Sequence, residues 1–132
     1  MNEHELAFVS AFIIRDRRDR YAQFLANPKR RPKILNYLNH KLEPDLDYRF
    51  ATLVRSLWDV FASPLLKNKA DGATGHLIAD ECEYDGRELP LKEALNVAGG
   101  NSWGAVVSIV PGKLAVYKSE YPGRRYVLEQ TR

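Results

Sequence analysis

Cysteine is nearly missing from this chain of 132 residues, because Cys82 is its single thiol. One thiol cannot form an internal disulfide or a cysteine-based zinc site, which excludes the small secreted scaffolds that depend on disulfides. The three histidines show no i, i+4 pairing, so a histidine zinc site has no support either. We therefore predict neither a bound metal nor a cofactor.

Long apolar runs are missing as well. The first apolar stretch is interrupted by Ser10 and stopped by Arg15, well short of the about 20 residues that span a bilayer. The residues before it are acidic, whereas the corresponding part of a signal peptide is basic. We expect a soluble cytoplasmic protein with no membrane partner.

Length and composition are those of an ordinary globular domain. Hydrophobic residues make up 45% of the chain and charged residues 28%, values that are typical of folded domains. A chain of this size buries about two-thirds of the surface that it exposes when unfolded, so it forms a core without crosslinks. We predict one domain over residues 1–132.

Helical periodicity dominates the first half of the chain. The segment 3–27 carries an apolar stripe on both sides of a charged middle, and this pattern leaves open whether it forms one helix or two with a bend near Arg17. A second helix is predicted over 28–40, because Asn27 precedes a proline as an N-cap precedes the first helical position. A start at Pro32 fits equally well.

A third helix is predicted over 50–61, where the apolar residues follow i, i+3, i+4, i+7 spacing without a gap. Ser63, which also precedes a proline, predicts a further short turn to Lys69. The third helix is expected to be structural. Its core-facing side chains should be Leu53, Leu57, Trp58 and Phe61.

The apolar period becomes two after the loop at 71–75, which predicts β-strands in the second half. The strands are expected at 76–80, 103–110, 113–119 and 124–130, with turns at 85–86, 111–112 and 121–123 and a short helix at 90–98 closed by Gly99. The predicted class is α+β. A helical N-terminal half packs on one face of a small antiparallel sheet, whose last three strands form a meander and which has one short helix inserted between strands.

The glycine-rich loop 99–104 follows a predicted helix and does not open one, so it lacks the context of a phosphate-binding loop. We interpret it as a helix cap and a connection, with Trp103 tucked under the sheet.

Positive charge is concentrated near the N-terminus. The net charge is +3, yet residues 1–41 contain nine Lys and Arg against four Asp and Glu. At the N-terminus of a helix each exposed cation is unfavourable by about 0.3–1 kcal/mol, unless an anion binds among the free N–H groups. The second helix begins with four such cations. The predicted anion-binding residues are therefore Lys29, Arg30, Arg31 and Lys33, with Arg15 and Arg18 extending the patch.

Negative charge is concentrated in the segment 80–93. Its carboxylates near 80–85 could hold a divalent metal, although neighbours on one face of a strand lie about 7 Å apart and further ligands would be needed. A thiol mechanism would pair Cys82 with His76, roughly 20 Å away at the rise of a strand, which is too far for proton transfer. We predict no catalytic residue and expect Cys82 to be dispensable.

The function favoured by these patterns is a small non-enzymatic binding domain for an anionic partner. Phosphate groups, including those of a nucleic acid, suit the basic N-terminal helices, although no RNP sequence, Cys/His finger or recognition-helix motif is present. The basic segment could instead be a solvated face or contact the acidic segment internally. One alternative is a protein-binding adaptor that uses the 80–93 segment or an exposed apolar helix face. A weaker alternative is a metal-dependent enzyme that uses the carboxylates near 80–85.

Overall fold

Helices fill most of the N-terminal half and strands most of the C-terminal half, as the change of apolar period predicts. The computed structural model describes residues 2–80, 83–100, 102–120 and 123–130. Within them the α-helices are α1 (Glu3–Phe12), α2 (Arg18–Ala26), α3 (Arg31–His40), α4 (Leu42–Asp45) and α5 (Leu91–Gly100). The strands are β1 (Ala51–Val54), β2 (Thr74–Ala79), β3 (Glu88–Pro90), β4 (Ala105–Val110), β5 (Leu114–Lys118) and β6 (Arg125–Glu129). Short 3-10 helices lie at Arg15–Arg17, Leu57–Ala62, Pro64–Leu66 and Ala70–Gly72. The predicted α+β class is confirmed.

The strands form one antiparallel sheet in the order β1-β6-β5-β4-β2-β3. The predicted meander is confirmed, because β4, β5 and β6 are neighbours in sequence order. Gly112 adopts a φ of +71° in the turn between β4 and β5, a conformation that glycine reaches without strain. Helix α5 connects β3 to β4, which confirms the short helix inserted between strands, but it continues through Gly99 to Gly100, so the predicted end at Gly99 is wrong.

Side chains alternate across the sheet and supply two hydrophobic clusters, one on each face. One face packs against the N-terminal helices α1 to α4 through residues that include Ile78, Val106 and Tyr117. The opposite face packs against α5 and the 3-10 helix Leu57–Ala62 through residues that include Leu77, Val107 and Val116. The N-terminal helices therefore cover one face as predicted, and shorter elements cover the other.

The segment 3–27 forms two helices. Asn2 caps α1 by accepting hydrogen bonds from the next turn. The helix ends at Phe12, because Ile13 takes an extended conformation and pairs with Leu46 in an isolated β-bridge. Helix α3 begins at Arg31, since the residues after Asn27 form a turn whose first N–H groups bond to the Asn27 side chain and carbonyl. The later start is therefore the correct one.

The predicted helix over 50–61 is wrong. Its first part is β1, which pairs with β6 from Ala51–Leu128 to Val54–Arg125, and its second part is a 3-10 helix. Residues three apart share one side of a 3-10 helix, so Leu57 and Val60 are buried while Trp58 between them is 40% exposed. Leu53 is 62% exposed. Spacing alone cannot separate this combination from one amphipathic α-helix.

Trp103 was expected under the sheet, and this is also wrong, because it is 37% exposed. The tight packing belongs to its neighbour Gly104, where a Cβ would collide with the backbone of Leu38. The N–H of Gly104 donates to Oδ1 of Asn39 over 2.8 Å. Of the predicted turn at 121–123, the first two residues lie outside the described part of the chain.

None of the described helices is both long enough and apolar enough to cross a bilayer.

Candidate anion-binding site

Arg31, one of the four cations predicted to bind an anion, points into the protein. Its guanidinium donates to both carboxylate oxygens of Glu5, over 2.9 and 2.7 Å, and to both of Asp85, over 2.6 and 3.0 Å. The side chain is 21% exposed. Arg31 thus makes the internal contact with the acidic segment that was the alternative interpretation, and the expectation of an exposed position is wrong.

The Arg31 contacts belong to a larger buried polar network. Oε2 of Glu5 lies 2.8 Å from Nε2 of His76, whose ring stacks on that of His4 with centroids 5.5 Å apart. Nδ1 of His4 lies 2.8 Å from Oγ of Ser108. Burial by itself raises the pKa of Glu5, but hydrogen bonds from Arg31 and His76 outweigh it and lower this pKa to about 2.

This network is a clamp between α1, α3, β2 and the turn that contains Asp85. Among the described residues, every buried polar side-chain atom has a hydrogen-bond partner. Ser108, whose hydroxyl group next to the His4 ring resembles the start of a nucleophile–base pair, is 1% exposed. The geometry therefore supports a structural role for the network, because no substrate has access to the hydroxyl group.

Sequence reasoning missed this network because its members lie far apart along the chain. One signal was present. Glu5 stands three, four and seven positions before Phe8, Val9 and Phe12, so it shares the apolar face of α1. A carboxylate on a buried helical face requires a cation or a hydrogen-bond donor nearby.

The remaining predicted cations lie at the surface or bond to the backbone. Lys29, Arg30 and Lys33 are exposed around the beginning of α3, and Arg15 is exposed in the 3-10 turn before α2. Arg18 is half-buried, and its Nε donates to the carbonyl of Ile13 over 2.9 Å. The structure thus separates Arg18 and Arg31 from the exposed cations of the predicted patch.

A different set of cations lines a cleft of about 400 Å³ on the opposite side of the sheet. The cleft opens between the 3-10 helix Leu57–Ala62 and the C-terminal end of α5. We call it the arginine cleft. Its lining consists of Arg55, Ser56, Leu57, Trp58, Leu95, Asn96, Gly99, Gly100 and Arg125, without any acidic residue from the described part of the chain.

The pairing of β1 with β6 positions the two arginines. Val54 lies opposite Arg125 in the register, so Arg55 emerges from the end of β1 beside it. A second hollow of about 500 Å³ adjoins the first and shares both arginines. Arg124 belongs to its lining, with Nη1 3.7 Å from Oε2 of Glu43. Three arginines therefore meet at one end of the sheet.

Lys118 adds a buried cation to this end of the sheet. It lies opposite Arg125 in the β5–β6 register, where directly paired residues share one face. Its exposed fraction is 3%. Burial, and then the charge of Arg125, lower the pKa of Lys118 to about 8.

Trp58 gives the arginine cleft an aromatic surface. Ser56 caps the 3-10 helix by accepting a hydrogen bond from the N–H of Trp58 over 3.1 Å, which fixes the backbone at this point. The indole packs beside Phe61, with ring centroids 5.5 Å apart. At the other wall Gly100 leaves open space, since a Cβ there would meet nothing within 4 Å.

Sequence reasoning missed the arginine cleft because it placed Trp58 in the core and did not find β1. Without β1 nothing in the sequence brings Arg55 near Arg125. The available signal was the adjacent pair Arg124 and Arg125 at the beginning of a predicted strand, a position where side chains lie at the edge of the core.

The carboxylates of the acidic segment that the structure describes do not converge. Asp85 is engaged by Arg31 and by the N–H of Ala79, while Asp80 and Glu83 are exposed. Within the described ranges no group of three or more His, Cys, Asp or Glu side chains is arranged to hold a metal ion. Glu81 and Cys82 lie outside these ranges.

The chain matches no protein-family model, no curated protein and no solved structure. The residues of the arginine cleft nevertheless indicate which class of ligand it can bind. Guanidinium groups offer paired N–H donors that fit the oxygens of carboxylates and phosphates. A volume of about 400 Å³ lies within the range of small-ligand sites.

Proposed function

We propose that this protein is a non-enzymatic binding domain for an anionic partner, and that phosphate groups of the partner bind in the arginine cleft. The observation that carries the proposal is the sharing of Arg55 and Arg125 by two adjoining hollows whose linings contain no described acid. A phosphate between two guanidinium groups can accept several charge-assisted hydrogen bonds at once.

The electrostatics of this end of the sheet support the same proposal. Lys118 and Arg125 lie on one face, and both burial and the charge of Arg125 disfavour the charged form of the lysine. A bound phosphate offsets this repulsion. The pKa of Lys118 should therefore rise when the cleft is occupied, which links binding to a measurable group.

The exposed cations of the N-terminal helices are a proposed secondary contact for the same partner. Lys29, Arg30, Lys33 and Arg15 are exposed and carry no ion pair among the described residues. Contacts of this kind contribute long-range attraction that salt screens. They give affinity without positioning a particular group.

The test is a titration with pyrophosphate, followed by the amide NMR signals of the cleft. We expect signals of Ser56, Asn96 and Gly100 to shift first, and the double variant Arg55→Gln/Arg125→Gln to lose these shifts. The matched control is Arg20→Gln/Lys113→Gln, which removes the same charge at exposed positions outside the cleft. Equal loss in both variants would show that net charge alone attracts the anion.

A protein partner is the second candidate, and the exposure of Leu53 favours it. Strand β1 pairs with β6 on one side and with no described strand on the other. Leu53 on this strand is 62% exposed. A partner strand added to the open edge would cover it. Leu53→Ser should weaken such an association, and it removes no cation from the second hollow, whose lining includes Leu53.

A further inference from the structure

The proposed phosphate site spans two adjoining hollows of about 400 and 500 Å³, which offer more space than a single phosphate ion fills. The arginine cleft and the adjoining hollow share Arg55 and Arg125, and the hollow is also lined by Arg124, which pairs with Glu43. The exposed indole of Trp58 lines the arginine cleft and not the adjoining hollow. Arginines beside an exposed aromatic surface suit a ligand in which a chain of phosphates carries planar rings.

We infer that the anionic partner is a single-stranded nucleic acid. Its phosphates bind Arg125 and Arg55, and one of its bases stacks on Trp58. This inference rests on the proposed function, because it assigns the ligand of the same cleft.

Trp58 carries the argument for a base. The indole is 40% exposed although the chain has a well-formed core on the same side of the sheet. The Ser56 cap fixes the backbone of Trp58 and Phe61 packs beside the indole, so stacking on the indole costs little side-chain entropy. Proteins that bind single strands combine such aromatic platforms with a positive groove along the backbone.

The same geometry disfavours duplexes. In a duplex both faces of each base are covered by its neighbours, so an indole can stack only on a base that is unpaired or at an end. The cleft also lies between the 3-10 helix Leu57–Ala62 and the end of α5, and neither projects as a long helix that could enter a major groove. A flexible single strand can turn one base towards Trp58 while its phosphates stay on the arginines.

The lining predicts weak sequence preference. Ser56 and Asn96 are the uncharged polar side chains of the arginine cleft, and they offer few hydrogen bonds with which to distinguish bases. Stacking is tolerant of base identity, because every base has an aromatic face. The expected partner is therefore a single strand of mixed sequence.

The experiment compares three labelled ligands of equal length by fluorescence anisotropy at several salt concentrations. They are a mixed-sequence single strand, an abasic strand with the same phosphates, and the corresponding duplex. We expect the single strand to bind roughly tenfold more tightly than the abasic strand. The variant Trp58→Ala should remove that difference, and Arg55→Gln/Arg125→Gln should weaken both ligands and flatten the salt dependence.

Trp58→Phe is a second variant that keeps an aromatic ring, and it should retain part of the preference for bases. Circular dichroism of each variant checks that it is folded. If the abasic strand or the duplex binds as tightly as the single strand, the inference is overturned while phosphate binding in the cleft stands. If neither the oligonucleotides nor pyrophosphate bind to wild type, the proposed function itself fails.

Discussion

The guanidinium of Arg31 lies between the carboxylates of Glu5 and Asp85 and bonds to all four of their oxygens at 2.6 to 3.0 Å. One side chain thereby joins α1, α3 and the turn before β3. Burial of Glu5 makes the arrangement dependent on its cation, because a buried carboxylate without a partner is strongly unfavourable.

Arg31→Ala should therefore destabilise the protein by about 3–5 kcal/mol, since it leaves Glu5 and Asp85 without their cation. Urea unfolding followed by circular dichroism measures this loss. The matched control is Arg30→Ala at the neighbouring exposed position, which should change the free energy of unfolding by less than about 0.5 kcal/mol. Equal effects at the two positions would contradict the clamp.

Stability should depend on acidic pH through Glu5. Its pKa is lowered from 4.5 in the unfolded chain to about 2 in the folded protein, so the stabilisation is complete above pH 4.5 and is lost as the pH falls towards 2. The contribution is on the order of 3 kcal/mol at neutral pH. Urea unfolding at several acidic pH values measures the slope, and Glu5→Gln should flatten it. If the free energy of unfolding of Glu5→Gln depends on pH as strongly as that of wild type, other groups are responsible for the acid sensitivity.

Trp58→Ala should leave the fold intact and cost about 1–2 kcal/mol, because Trp58 is 40% exposed and loses only its contacts at the edge of the core. Leu57→Ala is the matched comparison. Leu57 is buried next to it, so its truncation should cost about 2–5 kcal/mol. Thermal unfolding measures the loss of stability in each variant. A larger loss for Trp58→Ala than for Leu57→Ala would show that Trp58 belongs to the core.

Lys118 should make stability rise with pH in the alkaline range. Its folded pKa of about 8 lies below the ordinary value of 10.5. Between these values the unfolded chain binds a proton that the folded protein has released, so the free energy of unfolding increases with pH. The difference between wild type and Lys118→Met isolates this slope from that of the buried tyrosines. Pyrophosphate should shift this rise in the free energy of unfolding to higher pH, because it favours the charged lysine.

The exposed cations at the beginning of α3 should contribute affinity without specificity. Lys29→Glu/Arg30→Glu should weaken oligonucleotide binding to a similar degree for all sequences and reduce its log–log salt slope by about one unit for each lost contact. Folding should survive, since neither side chain takes part in the Arg31 clamp. If this variant binds the oligonucleotide as tightly as wild type at low salt, the binding site is restricted to the arginine cleft.

The α+β class, the meander and the inserted helix could be predicted because they depend on local periodicity and turn residues. Strand β1 could not, because Leu53, Leu57 and Phe61 happen to fit a helical spacing, and only pairing with β6 determines their conformation. The same limit applies to the sites. The contact of Arg31 with Glu5 and the placing of Arg55 and Arg125 in one cleft arise from tertiary structure, which single-sequence patterns do not record.

The register of β1 on β6 also determines when the arginine cleft can exist. Arg55 precedes most of the sheet in the chain, whereas Arg125 opens the last described strand. The two meet only after that strand has paired, and non-local pairings of this kind are slow to form. A chain synthesised only as far as β5 has one wall of the cleft and no second guanidinium. The anionic partner would thus bind only after the sheet is complete. Its binding would stabilise the finished fold over any partly folded form.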